Sequence, residues 1–177
     1  MKKLFALMMT MMMAFGVAAC GGEETPTEPE SSLVMQEVGD LSMLAPDDYD
    51  EFGEYEGYCG APGPGSSIIV ADPFEADVTA ADITEDVVAD MVYSAYPDAV
   101  VLEYENPVEI GGTESVRFTI EGTSAEDGAE NTVTYVLMFY MIDDVVYEQD
   151  VCFTYRTGED TSLETNLDEI IDSITIN

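Results

Sequence analysis

The spacing of apolar positions changes along this 177-residue chain, and each spacing predicts a different element. From Asp82 to Tyr96 apolar residues recur at helical spacing on one side, while acids occupy the other. Asp82 and Glu85 have the spacing of a capping box, and Pro97 stops a helix. The pattern therefore predicts a helix over 82–96 whose apolar side faces a core.

The strands are predicted from a period of two, which replaces the helical period after residue 99. A short strand is expected earlier, at 66–71, followed by strands at 101–104, 114–121, 132–142 and 145–156. The fourth of these five (TVTYVLMFYMI) is apolar at almost every position, so layers are expected to cover it on both faces.

Two sequence signals place the C-terminal elements. Asp143-Asp144 predicts a two-residue hairpin turn, because Asp tolerates a left-handed backbone. Such a turn would pair Tyr140 with Tyr147, Val136 with Val151, Phe139 with Glu148 and Tyr135 with Cys152. Thr161 and Glu164, at capping-box spacing, predict a last helix, and residues 175–177 a strand stub. The inward residues of that helix would be Leu163, Leu167, Ile170, Ile171 and Ile174.

The first 20 residues resemble the leader of a bacterial lipoprotein. A basic start, an apolar run to Ala19 and small residues before the cut are typical of a secretory signal peptide. Val17-Ala18-Ala19-Cys20 is similar to the lipobox, whose cysteine receives a diacylglycerol in that family. The resemblance implies a signal peptide at 1–19 and an extracytoplasmic protein held on the bacterial cell membrane by lipid on Cys20.

A tether and one domain are predicted after the leader. Residues 20–32 combine the lipidated cysteine with an acidic spacer, whose Gly, Pro, Glu and Ser residues cannot offset the entropy of ordering. A dozen such residues extend about 40 Å at most. Residues 33–177 remain, which is enough for a single domain with a core.

The composition argues against several functions. The chain has 38 acidic and four basic residues, and no His. Lys2 and Lys3 would leave with the leader, so the mature chain would keep two arginines and a net charge of −36. No nucleic acid partner is expected, because that binding depends on Lys and Arg. No enzyme is expected either, since the commonest general base and the Schiff-base residue are missing.

The acidity has two interpretations, which are solvation of a surface protein and attraction of a cation or a basic partner. The densest run holds Asp47, Asp48, Asp50, Glu51, Glu54 and Glu56. Started at Asp48, it partly follows a calcium loop, but Phe52 and Cys59 stand where ligands are needed. A strand with a polar face is the favoured interpretation, and a weak calcium site is the alternative.

Two cysteines and two arginines are further candidates. Cys59 and Cys152 form an even pair in an oxidising compartment, which favours a structural disulfide between an N-terminal strand and the later strands. Buried free thiols are the alternative, and a reactive thiol lacks a His or Lys to lower its pKa. Arg117 and Arg156 are expected to form partly buried ion pairs that order the sheet, or else to recognise a ligand carboxylate.

The hairpin VTYVLMFYMIDDVVYEQDVCFTY and the ending LDEIIDSITI resemble the PsbP-like family, over residues 51–177. That family includes the photosystem extrinsic protein PsbP and small bacterial lipoproteins of the LpqN type. The resemblance implies an α+β fold, an α/β/α sandwich in which helices flank an antiparallel sheet, and an accessory role without catalysis. PsbP docks largely through basic residues, whereas the mature chain would have no Lys, so that docking mode is not carried over.

The sequence thus predicts a non-catalytic binding or accessory domain of the cell envelope. Low-affinity calcium binding is one alternative function. A structural interaction module for a basic protein partner is the other. No cofactor is expected beyond the diacylglycerol on Cys20 and, in the first alternative, calcium.

Overall fold

The computed structural model describes residues 32–159 and 161–177. The predicted signal peptide, the predicted lipidation at Cys20 and nearly all of the predicted tether lie outside these residues. Within the described ranges, every helix is too short or too polar to cross a bilayer.

The described residues form eleven strands, two α-helices and one 3-10 helix. The first six strands are β1 (Leu33–Val38), β2 (Leu41–Pro46), β3 (Gly53–Tyr55), β4 (Tyr58–Gly63), β5 (Ser66–Ala71) and β6 (Phe74–Glu75). The remaining strands are β7 (Val100–Ile110), β8 (Thr113–Thr123), β9 (Glu130–Ile142), β10 (Val145–Arg156) and β11 (Thr175–Ile176). The helices are the 3-10 helix (Ala80–Asp82), α1 (Glu85–Val92) and α2 (Ser162–Asp172).

The main sheet is antiparallel and runs in the order β3-β4-β5-β10-β9-β8-β7, with β6 added beside β10. Its centre is the hairpin of β9 and β10, which has the predicted register. Asp143 and Asp144 form the two-residue turn with φ angles of 50° and 65°. The four predicted pairs are Tyr140 with Tyr147, Val136 with Val151, Phe139 with Glu148 and Tyr135 with Cys152, and all four are observed.

Both faces of this sheet are covered, as the apolar run of β9 predicts. On one face, here called face A, Phe118 and Tyr135 belong to a core shared with α1 and the 3-10 helix. On the other, face B, Val136 and Phe153 belong to a core shared with α2 and with the small sheet β1-β2-β11. The predicted α+β class, an antiparallel sheet flanked by helices, is confirmed. The small second sheet was not predicted.

The predicted start of α2 is confirmed. Thr161 is its N-cap, and its Oγ1 accepts a hydrogen bond from the backbone N–H of Glu164 at 3.1 Å. The five predicted inward residues are all buried. β11 is the predicted strand stub, and it pairs with β2.

The predicted capping box of α1 is wrong. α1 begins three residues later than predicted, with Thr84 as its N-cap. The Asp82 carboxylate instead accepts hydrogen bonds from the backbone and the hydroxyl of Thr79, both at 2.9 Å. The acid therefore closes the preceding 3-10 turn, and α1 ends at Val92, well before Pro97.

The acidic stretch forms a hairpin, where the sequence predicted one strand. β3 and β4 are joined by a turn at 56–57, and Gly57 has a φ of 90° that favours glycine. The turn between β4 and β5 is short, because β4 continues to Gly63 and pairs with β5.

Candidate binding groove

Face B is apolar over one part and polar over another, and this division leaves a groove. α2 packs where the sheet carries apolar residues such as Val136 and Phe153. Next to them the sheet presents the hydroxyls of Thr119, Thr132 and Thr134. An apolar helix face gains little over such a floor, because hydroxyls that lose water must be hydrogen-bonded.

An open groove of about 560 Å³ therefore remains between α2 and the sheet, and we call it the α2 groove. Its volume lies within the range of about 300–1,000 Å³ that is usual for ligand sites. Its lining residues are Leu102, Glu103, Arg117, Thr119, Thr132, Thr134, Tyr155, Glu164, Thr165, Asn166, Leu167, Asp168 and Glu169.

The threonines in the floor of the groove belong to two pairs of hydroxyl groups. Thr119 Oγ1 lies 2.9 Å from Thr134 Oγ1, and Thr132 Oγ1 lies 3.1 Å from Thr157 Oγ1. Each hydroxyl has one hydrogen to donate, and a hydrogen bond within a pair uses one of the two. The second hydrogen of the Thr119–Thr134 pair is therefore available to another acceptor, whereas Thr132 is also hydrogen-bonded to the side chain of Tyr155.

Arg117 is the groove's one cation, and it is only partly bonded. Its Nη2 donates to Asp168 Oδ1 at 2.6 Å. The Arg117 side chain is 18% exposed, whereas that of Asp168 is 82% exposed. Among the described residues, the buried Nε of Arg117 has no hydrogen-bond partner. The exposed Asp168 thus bonds to one of the two neighbouring donor atoms, Nε and Nη2, of the guanidinium.

The rim of the groove is acidic. Four carboxylates, from Glu103, Glu164, Asp168 and Glu169, line it against the single guanidinium. Burial first, and then the charges of Glu164 and Glu103, raise the pKa of Tyr155 in the groove. The electrostatic field at the groove therefore favours cationic groups.

The other arginine lies on face A. Arg156 Nη2 is 3.5 Å from Asp127 Oδ2, and the arginine side chain is 18% exposed. Both arginines singled out in the sequence thus take part in ion pairs, but only Arg117 lines the groove.

Two carboxyl groups are buried on face A, away from the groove. Glu148 is fully buried and Asp150 is 2% exposed. Both oxygens of Glu148 and Oδ1 of Asp150 lack a donor among the described residues. Burial raises the pKa of both carboxyls, and the neighbouring Asp150 charge raises that of Glu148 further. The two groups can bond to each other only while at least one of them keeps its proton.

The predicted disulfide between Cys59 and Cys152 is wrong, because both are free thiols on opposite faces of the sheet. Cys59 packs against the face B core, and Cys152 belongs to the face A core. β5 lies between them, since Cys59 pairs with Val70 and Cys152 with Ile69. Two strand spacings separate their Cα atoms by about 10 Å, beyond the limit of about 7 Å for a disulfide.

Both thiols are protonated at neutral pH. Burial raises the pKa of Cys152 to about 12. Burial, together with the charges of Asp72 and Glu54, also raises the pKa of Cys59. Since the thiolate is the nucleophile, neither position is suited to thiol chemistry.

The six acids proposed as a calcium site are not gathered into one. Asp47 accepts a hydrogen bond from the hydroxyl of Ser32, and Asp48 accepts one from the hydroxyl of Ser162 at 2.9 Å. Within the described ranges, no group of three or more His, Cys, Asp or Glu is arranged to hold a metal ion. Asp48 instead ties the acidic stretch to the start of α2, and calcium binding stays a prediction without a formed site.

No family model matches the sequence, and no curated protein is similar to it. Solved structures share the fold. A point mutant of the protein Mog1 has a TM-score of 0.54 and 12% identity over 82% of this chain and 96% of its own. The Saccharomyces cerevisiae Ran-binding protein Mog1p has a TM-score of 0.52 at the same identity and coverage.

LpqN, a protein involved in cell envelope biogenesis of Mycobacterium tuberculosis, also shares the fold. Its TM-score is 0.51, with 14% identity over 88% of this chain and 91% of its own. These likenesses establish the fold of the chain and no more.

The sequence pointed to Arg117 but not to the groove around it. A signal was present, because Thr119, Thr132 and Thr134 occupy alternate positions of otherwise apolar strands. The acids of α2 could not be placed beside those threonines without knowing which half of face B the helix covers.

Proposed function

We propose that this chain is a lipid-anchored protein of the bacterial cell envelope whose domain binds a basic segment of a partner protein. The binding site is the α2 groove, and the role is accessory, without catalysis. The lipid on Cys20 holds the domain at the membrane, and the acidic tether gives it reach.

The observation that carries this proposal is the acid-lined α2 groove. Four carboxylates and one arginine line it, next to hydroxyl donors in the floor. Lys and Arg side chains of a partner complement this charge, while the threonines can bond to backbone groups. The fold is compatible with binding, since Mog1p, which shares it, is a Ran-binding protein.

Catalysis has little support from the described residues. The two buried carboxyls, Glu148 and Asp150, have strongly raised pKa values, but neither lines the groove. Both cysteines are protonated thiols. The groove itself offers exposed acids, hydroxyls and one arginine, which suit recognition better than proton transfer or nucleophilic attack.

A matched pair of variants tests the site. Glu164→Gln with Glu169→Gln removes two charges from the groove, and Glu85→Gln with Asp90→Asn removes two exposed charges from α1 on the other side of the sheet. The probe is a mixture of N-acetylated, C-amidated hexapeptides with two fixed lysines. The peptides carry a neutral dye, and binding is measured by the fluorescence anisotropy of this dye. Each lost contact at about 4 Å in water is worth about 1 kcal/mol, so binding should weaken about tenfold or more in the groove variant.

The α1 variant should bind the same peptides within about twofold of the parent protein, and added salt should weaken binding to both. Equal weakening in the two variants would mean that the acidity acts only as a diffuse field. Binding that survives the loss of both groove charges would refute the groove as the site.

A further inference from the structure

We propose that the α2 groove recognises the free C-terminal carboxylate of a basic peptide chain, with Arg117 as the residue that binds it. This specificity rests on the proposed function, because it needs the groove to be the binding site. It adds which part of the partner enters the groove.

The guanidinium of Arg117 is suited to a carboxylate. Its Nε and Nη2 atoms form a planar edge that can donate two parallel hydrogen bonds to one carboxylate. In the structure Nη2 bonds to Asp168 at 2.6 Å, and the buried Nε has no partner among the described residues. A ligand carboxylate on this edge would satisfy both atoms.

Asp168 can leave Arg117 with little loss of free energy. Its side chain is 82% exposed, so it remains solvated after it turns away from Arg117. Arg117, at 18% exposed, stays where β8 positions it. The ion pair therefore keeps the arginine bonded while the groove is empty, and a carboxylate that makes two bonds can replace an aspartate that makes one.

The floor adds a donor on the same side of the sheet. Thr119 follows Arg117 by two positions in β8, so both side chains point to face B. The spare hydroxyl hydrogen of the Thr119–Thr134 pair can be donated to a carboxylate oxygen. An internal peptide segment brings carbonyl groups but no negative charge, and would leave the arginine with Asp168.

The rim decides which carboxylates can enter. Glu103, Glu164 and Glu169 repel a simple anion, as does the rest of this strongly acidic chain. A chain end that carries Lys or Arg next to its terminal carboxylate offers both signs of charge. The groove therefore selects for a basic C-terminus over a free carboxylic acid and over an acidic peptide.

The test compares two peptide mixtures that differ only at the C-terminus. Both are N-acetylated hexapeptides with two fixed lysines and four randomised positions, one with a free acid and one with an amide. Both mixtures carry a neutral dye and are titrated with the mature lipoprotein in neutral detergent. Binding is measured by the fluorescence anisotropy of the dye. The free acid should bind about tenfold more tightly, as expected for one added charge-assisted contact.

Two single-charge variants separate this contact from general electrostatics. Asp168→Asn removes the competitor of Arg117 and should increase the acid-to-amide affinity ratio several-fold. Glu169→Gln removes the adjacent charge, and only Asp168 bonds to Arg117, so this variant should weaken both mixtures and raise the ratio less than Asp168→Asn does. Arg117→Gln should bring the ratio to about one, with a thermal melt to verify that it folds.

The outcomes are distinguishable. Equal binding of acid and amide by the parent protein would overturn this inference, and the proposed function would stand if the groove charges still matter. A ratio that responds identically to Asp168→Asn and Glu169→Gln would also overturn it. Binding of neither mixture would overturn both proposals.

Discussion

Glu148 and Asp150 place two carboxyl groups in an apolar layer. Replacing one of them with an amide measures how much this arrangement lowers the free energy of unfolding. Glu148 pairs with Phe139 of β9 and with Phe74 of β6, and its side chain is fully buried. Burial and the nearby Asp150 raise its pKa. Glu148→Gln keeps the shape, is neutral at every pH, and can donate an N–H to Asp150.

The sign of the effect follows from proton linkage. An unfolded glutamate titrates at about pH 4.3. Since the pKa of Glu148 is raised in the folded protein, the native state keeps a proton that the unfolded chain has lost. The stability linked to this proton is complete below the unfolded pKa and decreases as the pH rises towards the folded pKa.

The magnitude is about 1.4 kcal/mol per pH unit for one retained proton. Between about pH 5 and about pH 8, the parent protein should therefore lose about 4 kcal/mol relative to Glu148→Gln. The variant should be the more stable of the two at neutral pH, although a charged residue type has been removed from the core. That difference is a large part of the roughly 5–15 kcal/mol typical of a domain.

Urea unfolding followed by far-UV circular dichroism is the suitable assay, because the chain has no Trp for fluorescence. Free energies of unfolding are extrapolated to water at each pH, and an unchanged m-value indicates that the unfolded state is comparable. Glu114→Gln is the matched control, since Glu114 is an exposed residue of β8 in the same sheet. It reports the general relief of repulsion in a chain of net charge −34.

The reasoning fails if the stability difference between Glu148→Gln and Glu114→Gln stays constant over this pH range. That result would mean that Glu148 holds no extra proton in the folded state. A variant that is less stable than the parent protein at every pH would also refute it, because the carboxylate would then have a partner that an amide cannot replace.

Two further predictions concern the cysteines. Cells supplied with a palmitate analogue should incorporate it into the parent protein and not into Cys20→Ser, and label that persists in the variant would argue against the lipobox interpretation. Thiol labelling of the unreduced protein should modify Cys59 and Cys152 together once it is unfolded in urea, with little reaction in the native state, because burial keeps both thiols protonated. Failure of both to react after unfolding would indicate the disulfide that the structure excludes.

The sequence alone determined the centre of the fold. The β9–β10 register followed from Asp143-Asp144, because a two-residue turn leaves one way to pair the flanking strands. The N-cap of α2 followed from Thr161, since an N-cap bond uses only neighbouring residues. The cover on both faces of the sheet followed from a strand that is apolar on both faces, which requires layers above and below it. The α+β class itself was what the resemblance to the PsbP-like family implied.

Contacts between distant segments were decided only by the tertiary structure. The even number of cysteines predicted a disulfide between Cys59 and Cys152. In the structure β5 lies between them, and their side chains point to opposite faces of the sheet. Arg117 was recognisable in the sequence, whereas its neighbour Asp168 lies 51 residues away. The α2 groove exists because the helix covers the apolar part of face B and stops short of its threonines. Local patterns fix turns, caps and periods, but the side chains that share a groove depend on how whole elements pack.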